Sequence, residues 1–362
     1  MVGGLIQHLQ EAELVFSVIK ILILGTISFV IAILATPLLT HYLYKHKLWK
    51  KTVREKSIDG KEMPVFQKFH GKEEVKTPRL GGLLIWIIPP VLAILFFLLT
   101  EFDGTIIEKL NFLSRSQTWL PLLGMVAASI VGLIDDLLQV RSKGRYIGGG
   151  LSLKYRLISI FLIGLIGGWW FYSKLGWTSL HIPGNGDLII GAWYIPFFIF
   201  VMLAVYAGGV IDGIDGLAGS SFSTIFGAFS IIALFRGQID LAAFCAVVSG
   251  AVLAFLWFNI PPARFYMGES GTMGLCVALT IVAFLTDSIL VLPIIAILLV
   301  VEAGSVILQQ LSKKFLKRKI FLAAPIHYHF EAKGWPHYKV TMRFWVIGLV
   351  AAILGVAIRL LG

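Results

Sequence analysis

Residues 193–235 read WYIPFFIFVMLAVYAGGVIDGIDGLAGSSFSTIFGAFSIIALF. Two apolar runs, 193–211 and 217–235, each approach the roughly 20 residues a helix needs to cross a hydrocarbon layer. The only charges in the stretch are Asp212 and Asp215, in the Asp212-Gly213-Ile214-Asp215-Gly216 link between the runs. Back-to-back spans with a carboxylate pair at their junction suggest a membrane bundle with chemistry at one face. Outward from this stretch the pattern repeats at 17–43, 80–100, 119–135, 155–175, 241–258, 272–287, 289–311 and 341–361. The expected fold is all-α: one integral membrane domain, 1–362, with ten transmembrane helices.

Composition agrees. The 362 residues are 57% hydrophobic and 14% charged, with a mean hydropathy of +0.86, against about 45–50% and 25% in soluble domains. Disorder, collagen and a disulfide scaffold are excluded. Cys245 and Cys276 lie in apolar runs and read as small buried hydrophobes. Residues 1–16 contain Glu11 and Glu13 but no Lys or Arg, so no cleaved signal peptide is expected.

Of the 31 Lys and Arg, 25 fall in alternate connections: a basic loop at 45–79, then 137–156, 259–271 and 312–343. The positive-inside bias makes that side cytoplasmic and places both termini outside. The net charge of +11 is therefore mainly topogenic. No folded basic module is present to track nucleic-acid phosphates, and no nucleic-acid partner is expected. On the outer side, 176–194 carries Trp177, Thr178, Leu180 and Ile182, a Pro183-Gly184-Asn185-Gly186-Asp187 turn, then Leu188, Ile189 and Ile190. That is a hairpin signal. Trp169, Trp170, Trp177 and Trp193 read as interfacial anchors, and Asp287 as a boundary residue.

Ionisable groups at span edges are costly and mark function. Asp135-Asp136, Asp212 with Asp215, Glu269, and the His327-Tyr328-His329 run in the 312–340 loop all fall on the basic side. Asp212 and Asp215, three apart, would share a face on a helix. Asp135 and Asp136 diverge by about 100° on a helix, so both line a cleft only at a helix end or kink. Converging carboxylates need a cation among them, and hard oxygen donors suit Mg²⁺. Lys154 and the 45–79 loop could clamp phosphate oxygens. Together these groups describe phosphoryl transfer. Each motif alone has a blander reading, as a solvated cap, a turn or an exposed histidine. Glu302, inside 289–311, reads as either a structural hydrogen-bonding group or part of the cleft.

At these residues the chain resembles the polyprenyl-phosphate N-acetylhexosamine-1-phosphate transferases, and among them the phospho-N-acetylmuramoyl-pentapeptide transferases. The matching motifs are Gly132-Leu133-Ile134-Asp135-Asp136, Gly150-Leu151-Ser152-Leu153-Lys154-Tyr155, Asp212-Gly213-Ile214-Asp215-Gly216-Leu217-Ala218, and Phe258-Asn259 ahead of Met267-Gly268. The most specific are Ala324-Pro325-Ile326-His327-Tyr328-His329-Phe330-Glu331, Lys333-Gly334-Trp335-Pro336 and Arg343-Phe344-Trp345.

The resemblance implies ten helices with a cytoplasmic cleft in a bacterial inner membrane, and a homodimer. It implies Mg²⁺-dependent transfer of phospho-MurNAc-pentapeptide from UDP-MurNAc-pentapeptide to undecaprenyl phosphate, giving lipid I and UMP. It assigns catalysis to Asp135, Asp136, Asp212 and His327. Substrate contacts fall to Lys76, Thr77, Lys154, Asp212, Asp215, Asn259, His327, Tyr328 and His329, and the metal to Glu269 with Asp135. The family's metal aspartate is Glu269 here, its middle histidine Tyr328, and its Asn three residues before Asp212 is Gly209. Its Thr-Pro-Thr-Met-Gly-Gly reads Thr77-Pro78-Arg79-Leu80-Gly81-Gly82. A relative using another UDP-sugar, or an inactive or transporting paralogue, are the alternatives.

Overall fold

The computed structural model describes residues 2–51, 75–101, 106–142 and 149–362. The central part of the basic 45–79 loop and residues 143–148 lie outside the described residues. The described chain is mainly helical. Its helices are α1 (Val2–Lys45), α2 (Gly82–Leu99), α3 (Ile106–Leu110), α4 (Trp119–Val140), α5 (Leu153–Ser173), α6 (Tyr194–Gly208) and α7 (Leu217–Phe235). They continue with α8 (Ile239–Asn259), α9 (Gly268–Leu285), α10 (Leu292–Ile295), α11 (Ile297–Leu311), α12 (Ile326–Ala332) and α13 (His337–Leu361). Strands β1 (Ser179–Ile182) and β2 (Gly186–Ile189) form the expected hairpin, antiparallel, with Leu180 opposite Leu188 and His181 opposite Asp187.

Nine helical stretches among the described residues are long and apolar enough to span a membrane. They match nine of the ten expected runs. The remaining run, 289–311, is broken. Its first residues form a turn and the short α10, where Pro293, lacking an N–H, fits the first turn. Ala296, at φ −101° and ψ 33°, then interrupts the helix before α11 begins.

α9 is the central post. Every residue from Ser270 to Leu285 is buried, whereas α1, α5 and α13 present broad apolar faces outward, as lipid-facing helices do. α9 packs along α4, and against α2 and α6. Close approach needs glycine: a Cβ at Gly132 of α4 would overlap the Glu269 carbonyl. At the hairpin end of the bundle, Phe171, Tyr194, Phe198 and Phe284 pack together. Gly184 of the hairpin donates to the Gly362 carbonyl, which ties down the C-terminal end of α13. The opposite end holds the acidic groups.

Candidate active site

Five carboxylates from three parts of the chain gather around the start of α9. α4 supplies Asp135 and Asp136, both fully buried. The helix continues past them to Val140, so the pair sits within a helix rather than at its end. Their expected divergence is realised. Asp135 faces the 150–151 segment: Leu151 donates its N–H to Oδ1 at 2.5 Å, and Gln139 Nε2 donates to Oδ2 at 2.6 Å. Asp136 faces α9, where the N–H groups of Glu269 and Ser270 donate to its two oxygens at 3.1 and 2.9 Å. It thus caps a helix N-terminus, where orphan donors and the macrodipole both favour an anion.

Asp212 reaches the same terminus, accepting the Gly268 N–H at 3.2 Å. Asp212 and Asp215 do not share a helix face. A 3-10 turn at Gly209–Ile211 ends the preceding segment, and the pair lies on a turn before α7. Asp212 therefore points to α9, while Asp215 accepts the Ala263 N–H at 3.0 Å. Gly268, at φ +75°, adopts a conformation that favours glycine, and a Cβ there would collide with the Asp136 carboxylate. Burial pushes the Asp212 carboxyl up to about 6, against the opposing pull of Arg79 and the Gly268 N–H.

Glu269 pairs with Arg156 of α5 and accepts from the Tyr206 hydroxyl at 3.4 Å. Arg79 lies with its Nε 3.5 Å from Asp136 Oδ1. Its segment is held by pairing of Pro78, Gly81 and Gly82 with Tyr266 and Met267. Arg79 and Arg156 are the cations acting on this group of acids. Among the described residues, these two guanidiniums act on Asp136, Asp212 and Glu269, beside Asp135, and the cluster is made of hard oxygen donors. That donor chemistry fits Mg²⁺, which takes one or two carboxylates and completes its shell with waters and phosphates. Among the described residues, the one trio of such side chains with ligand atoms all within 4.8 Å is elsewhere: His181, Asp187 and Asp287, at the hairpin.

The histidine run forms α12 rather than a loop. His327 is fully buried, with Nδ1 2.8 Å from Glu302 Oε2 of α11. Its ring lies against Gly213, and the Tyr328 hydroxyl donates to the Gly213 carbonyl at 2.9 Å. The run therefore braces the loop carrying Asp212 and Asp215. His329 turns aside, accepting the Leu322 N–H at 3.1 Å. Partial burial and nearby Lys333 lower its pKa.

Other expected substrate residues are placed differently. Asn259 is spent on backbone: its Oδ1 accepts from Gly216 at 2.8 Å and its Nδ2 donates to Phe265 at 3.0 Å. Lys154 and Lys76 are exposed and Thr77 is half-buried. Among the described residues none of the three bonds to the carboxylates. Arg79, Arg156, Tyr206 and Gln139 do; of these the sequence pointed only to Arg79, as part of the basic 45–79 loop, and gave the other three no role. Their signal was position: each lies within or just beside an apolar run that ends at the acidic face.

Comparison with known proteins agrees. Residues 118–287 match the family described as Glycosyl transferase family 4. The chain is 32% identical to the phospho-N-acetylmuramoyl-pentapeptide-transferase of Geobacillus sp. (strain WCH70), covering 94% of this chain and 98% of that protein. It is 34% identical to the enzyme of that name from Thermoanaerobacter sp. (strain X514), covering 92% and 97%. It is 31% identical to that from Chloroflexus aggregans (strain MD-66 / DSM 9485), covering 97% and 92%. With an acidic cluster at one end of a membrane bundle and this likeness over nearly its whole length, the chain belongs to the phospho-N-acetylmuramoyl-pentapeptide transferases.

Proposed function

We propose that the chain, a multi-pass membrane protein, transfers phospho-MurNAc-pentapeptide from UDP-MurNAc-pentapeptide to undecaprenyl phosphate. The products are lipid I and UMP, in the first membrane step of peptidoglycan synthesis. The observation that carries this reading is the gathering of Asp135, Asp136, Asp212, Asp215 and Glu269 at one end of the bundle, with Arg79 and Arg156 among them. The charge bias of the loops supports placing that end in the cytoplasm of a bacterial inner-membrane protein, with both termini outside. Ten crossings follow if α10 and α11 together make the tenth.

In the reaction an oxygen of the lipid phosphate attacks the β-phosphorus of the UDP-sugar. The bond to the bridging oxygen breaks, and UMP leaves with the electron pair. The nucleophile is already largely anionic near neutral pH, so positioning and charge neutralisation dominate. Asp135, held by Gln139 and Leu151, orients the lipid phosphate or takes its last proton. Asp136 and Asp212 hold the start of α9, which fixes where Glu269 stands. Arg79 and Arg156 supply positive charge to the transferring phosphates. His327, held by Glu302, steadies the Asp212–Asp215 loop from behind. Glu269 and Asp135 would hold Mg²⁺, which when bound neutralises the pyrophosphate.

The test is release of UMP by purified protein given polyprenyl phosphate, Mg²⁺ and either UDP-MurNAc-pentapeptide or UDP-GlcNAc. UMP from the first donor alone is expected. UMP from UDP-GlcNAc alone would reassign the donor, and no UMP from either would remove the enzyme reading.

A further inference from the structure

Where α11 ends, the chain makes a π-helical turn over Ser312–Leu316 and then reverses through Lys317, at φ 54°. The run from Lys314 to Leu322 reads KFLKRKIFL. Four cations, Lys314, Lys317, Arg318 and Lys319, are exposed. They are interspersed with four exposed apolar side chains: Phe315 at 69%, Leu316 at 59%, Ile320 at 52% and Leu322 at 55%.

Three further observations separate this run from an ordinary solvated loop. The exposed apolar side chains follow on from the exposed Ile307, Leu308 and Leu311 of α11, so apolar surface runs on past the end of that helix. The backbone is fixed: the buried Gln309 side chain accepts from Ile320 and Phe321 and donates to the Phe321 carbonyl, and Ser312 Oγ donates to the Arg318 carbonyl. No Asp or Glu occurs in the sequence between Glu302 and Glu331. Among the described residues none of the four cations is paired with a carboxylate.

We propose that this ordered turn is a binding site for anionic phospholipid headgroups. The apolar side chains enter the acyl boundary, and the cationic stems snorkel to the phosphates above them. Basic clusters beside a transmembrane helix gain affinity from an anionic leaflet, falling off within a Debye length. Topogenic lysines alone require neither a fixed backbone nor exposed apolar side chains on both sides. The turn ends three residues before Pro325, which opens α12 with His327, so a bound headgroup would sit on the element that braces the Asp212–Asp215 loop.

The test places an environment-sensitive fluorophore at Leu316→Cys, the native Cys245 and Cys276 being buried. The full chain goes into nanodiscs of phosphatidylcholine and phosphatidylglycerol, with bromine quenchers on one lipid or the other. Brominated phosphatidylglycerol is expected to quench at least about fivefold more effectively than brominated phosphatidylcholine. Added salt, or the combined Lys314→Gln, Lys317→Gln, Arg318→Gln and Lys319→Gln variant, should erase that preference. Unchanged melting temperature and UMP release in uncharged detergent check that this variant is folded. If it does not fold, the variant carrying Lys314→Arg, Lys317→Arg, Arg318→Lys and Lys319→Arg must keep the preference. Equal quenching by both lipids overturns the proposal, as does a preference that survives neutralisation. So does displacement of phosphatidylglycerol by trace undecaprenyl phosphate, which would give the surface to the carrier lipid. The readout is lipid proximity rather than turnover, so it stands or falls apart from the transferase reading.

Discussion

Glu302 and His327 meet inside the bundle, Oε2 to Nδ1 at 2.8 Å, and neither side chain reaches solvent. The contact fixes the imidazole orientation by holding Nδ1 against a carboxylate oxygen. It joins α11 to α12 and, through His327 and Tyr328, to Gly213 beside Asp212.

Glu302→Gln should preserve the shape of this contact and remove its charge. A fall in kcat of about ten- to a hundredfold is expected, the usual scale for a group that orients a functional histidine, with KM for the UDP-sugar nearly unchanged. Glu302→Ala leaves a buried nitrogen without a partner and should also lower thermal stability, by about 1–3 kcal/mol. Steady-state kinetics and melting curves on both variants separate these effects. A Glu302→Gln enzyme with normal kcat would reduce the pair to packing.

Adjacent acids should fail in different ways. Asp136 accepts two N–H groups from the first turn of α9 and lies beside Arg79. Asp136→Ala should destabilise the fold by about 1–2 kcal/mol through the lost cap and abolish turnover as Glu269 loses its placement. Asp135→Asn keeps an oxygen for the Leu151 N–H and should abolish turnover with little change in melting temperature. Equal melting losses in the two variants would contradict this division.

How much of this was readable beforehand varies with physical range. Spans and hairpin were legible because each is set locally, by run length and by the Pro183–Asp187 turn. The break at Ala296 was not, since residues 289–301 are all apolar. The acidic residues were legible as costly groups at span edges, but their partners were not. Asp136 finds its donors 133 and 134 positions away, and capping across helices leaves no local pattern. Lys154 and Arg156 illustrate the limit. Two residues apart on a helix they point about 200° apart, so only one faces the acids. Geometry selects Arg156, whereas the motif resemblance singles out Lys154. Asn259 carried a motif match but is consumed by the loops it holds together.

Arg156 and a divalent cation compete for the same carboxylate. Glu269 is paired with Arg156, so neutralising the arginine raises the local negative charge and frees an oxygen ligand. Arg156→Gln should lower the Mg²⁺ concentration giving half-maximal rate while reducing kcat. Glu269→Gln should raise the Mg²⁺ requirement or abolish activity. A Mg²⁺ titration of UMP release on both variants checks this, and an unchanged midpoint in both would remove Glu269 from the metal site.

Asp212 gives a pH dependence with a definite sign. Its carboxyl is pushed up to about 6 in the folded protein, against an ordinary value near 4. Between those values the folded chain holds a proton that the unfolded chain has released, so stability falls as pH rises through the window. Above about 6 the carboxylate is charged in both states and the loss is complete. Metal-free protein should therefore melt at a lower temperature at pH 7 than at pH 5, and Asp212→Asn should flatten that part of the profile. Mg²⁺ binds the charged form, so adding it should raise the melting temperature more at pH 7 than at pH 5. A wild-type profile that rises across the same interval would show that Asp212 ionises freely and that burial does not penalise its carboxylate.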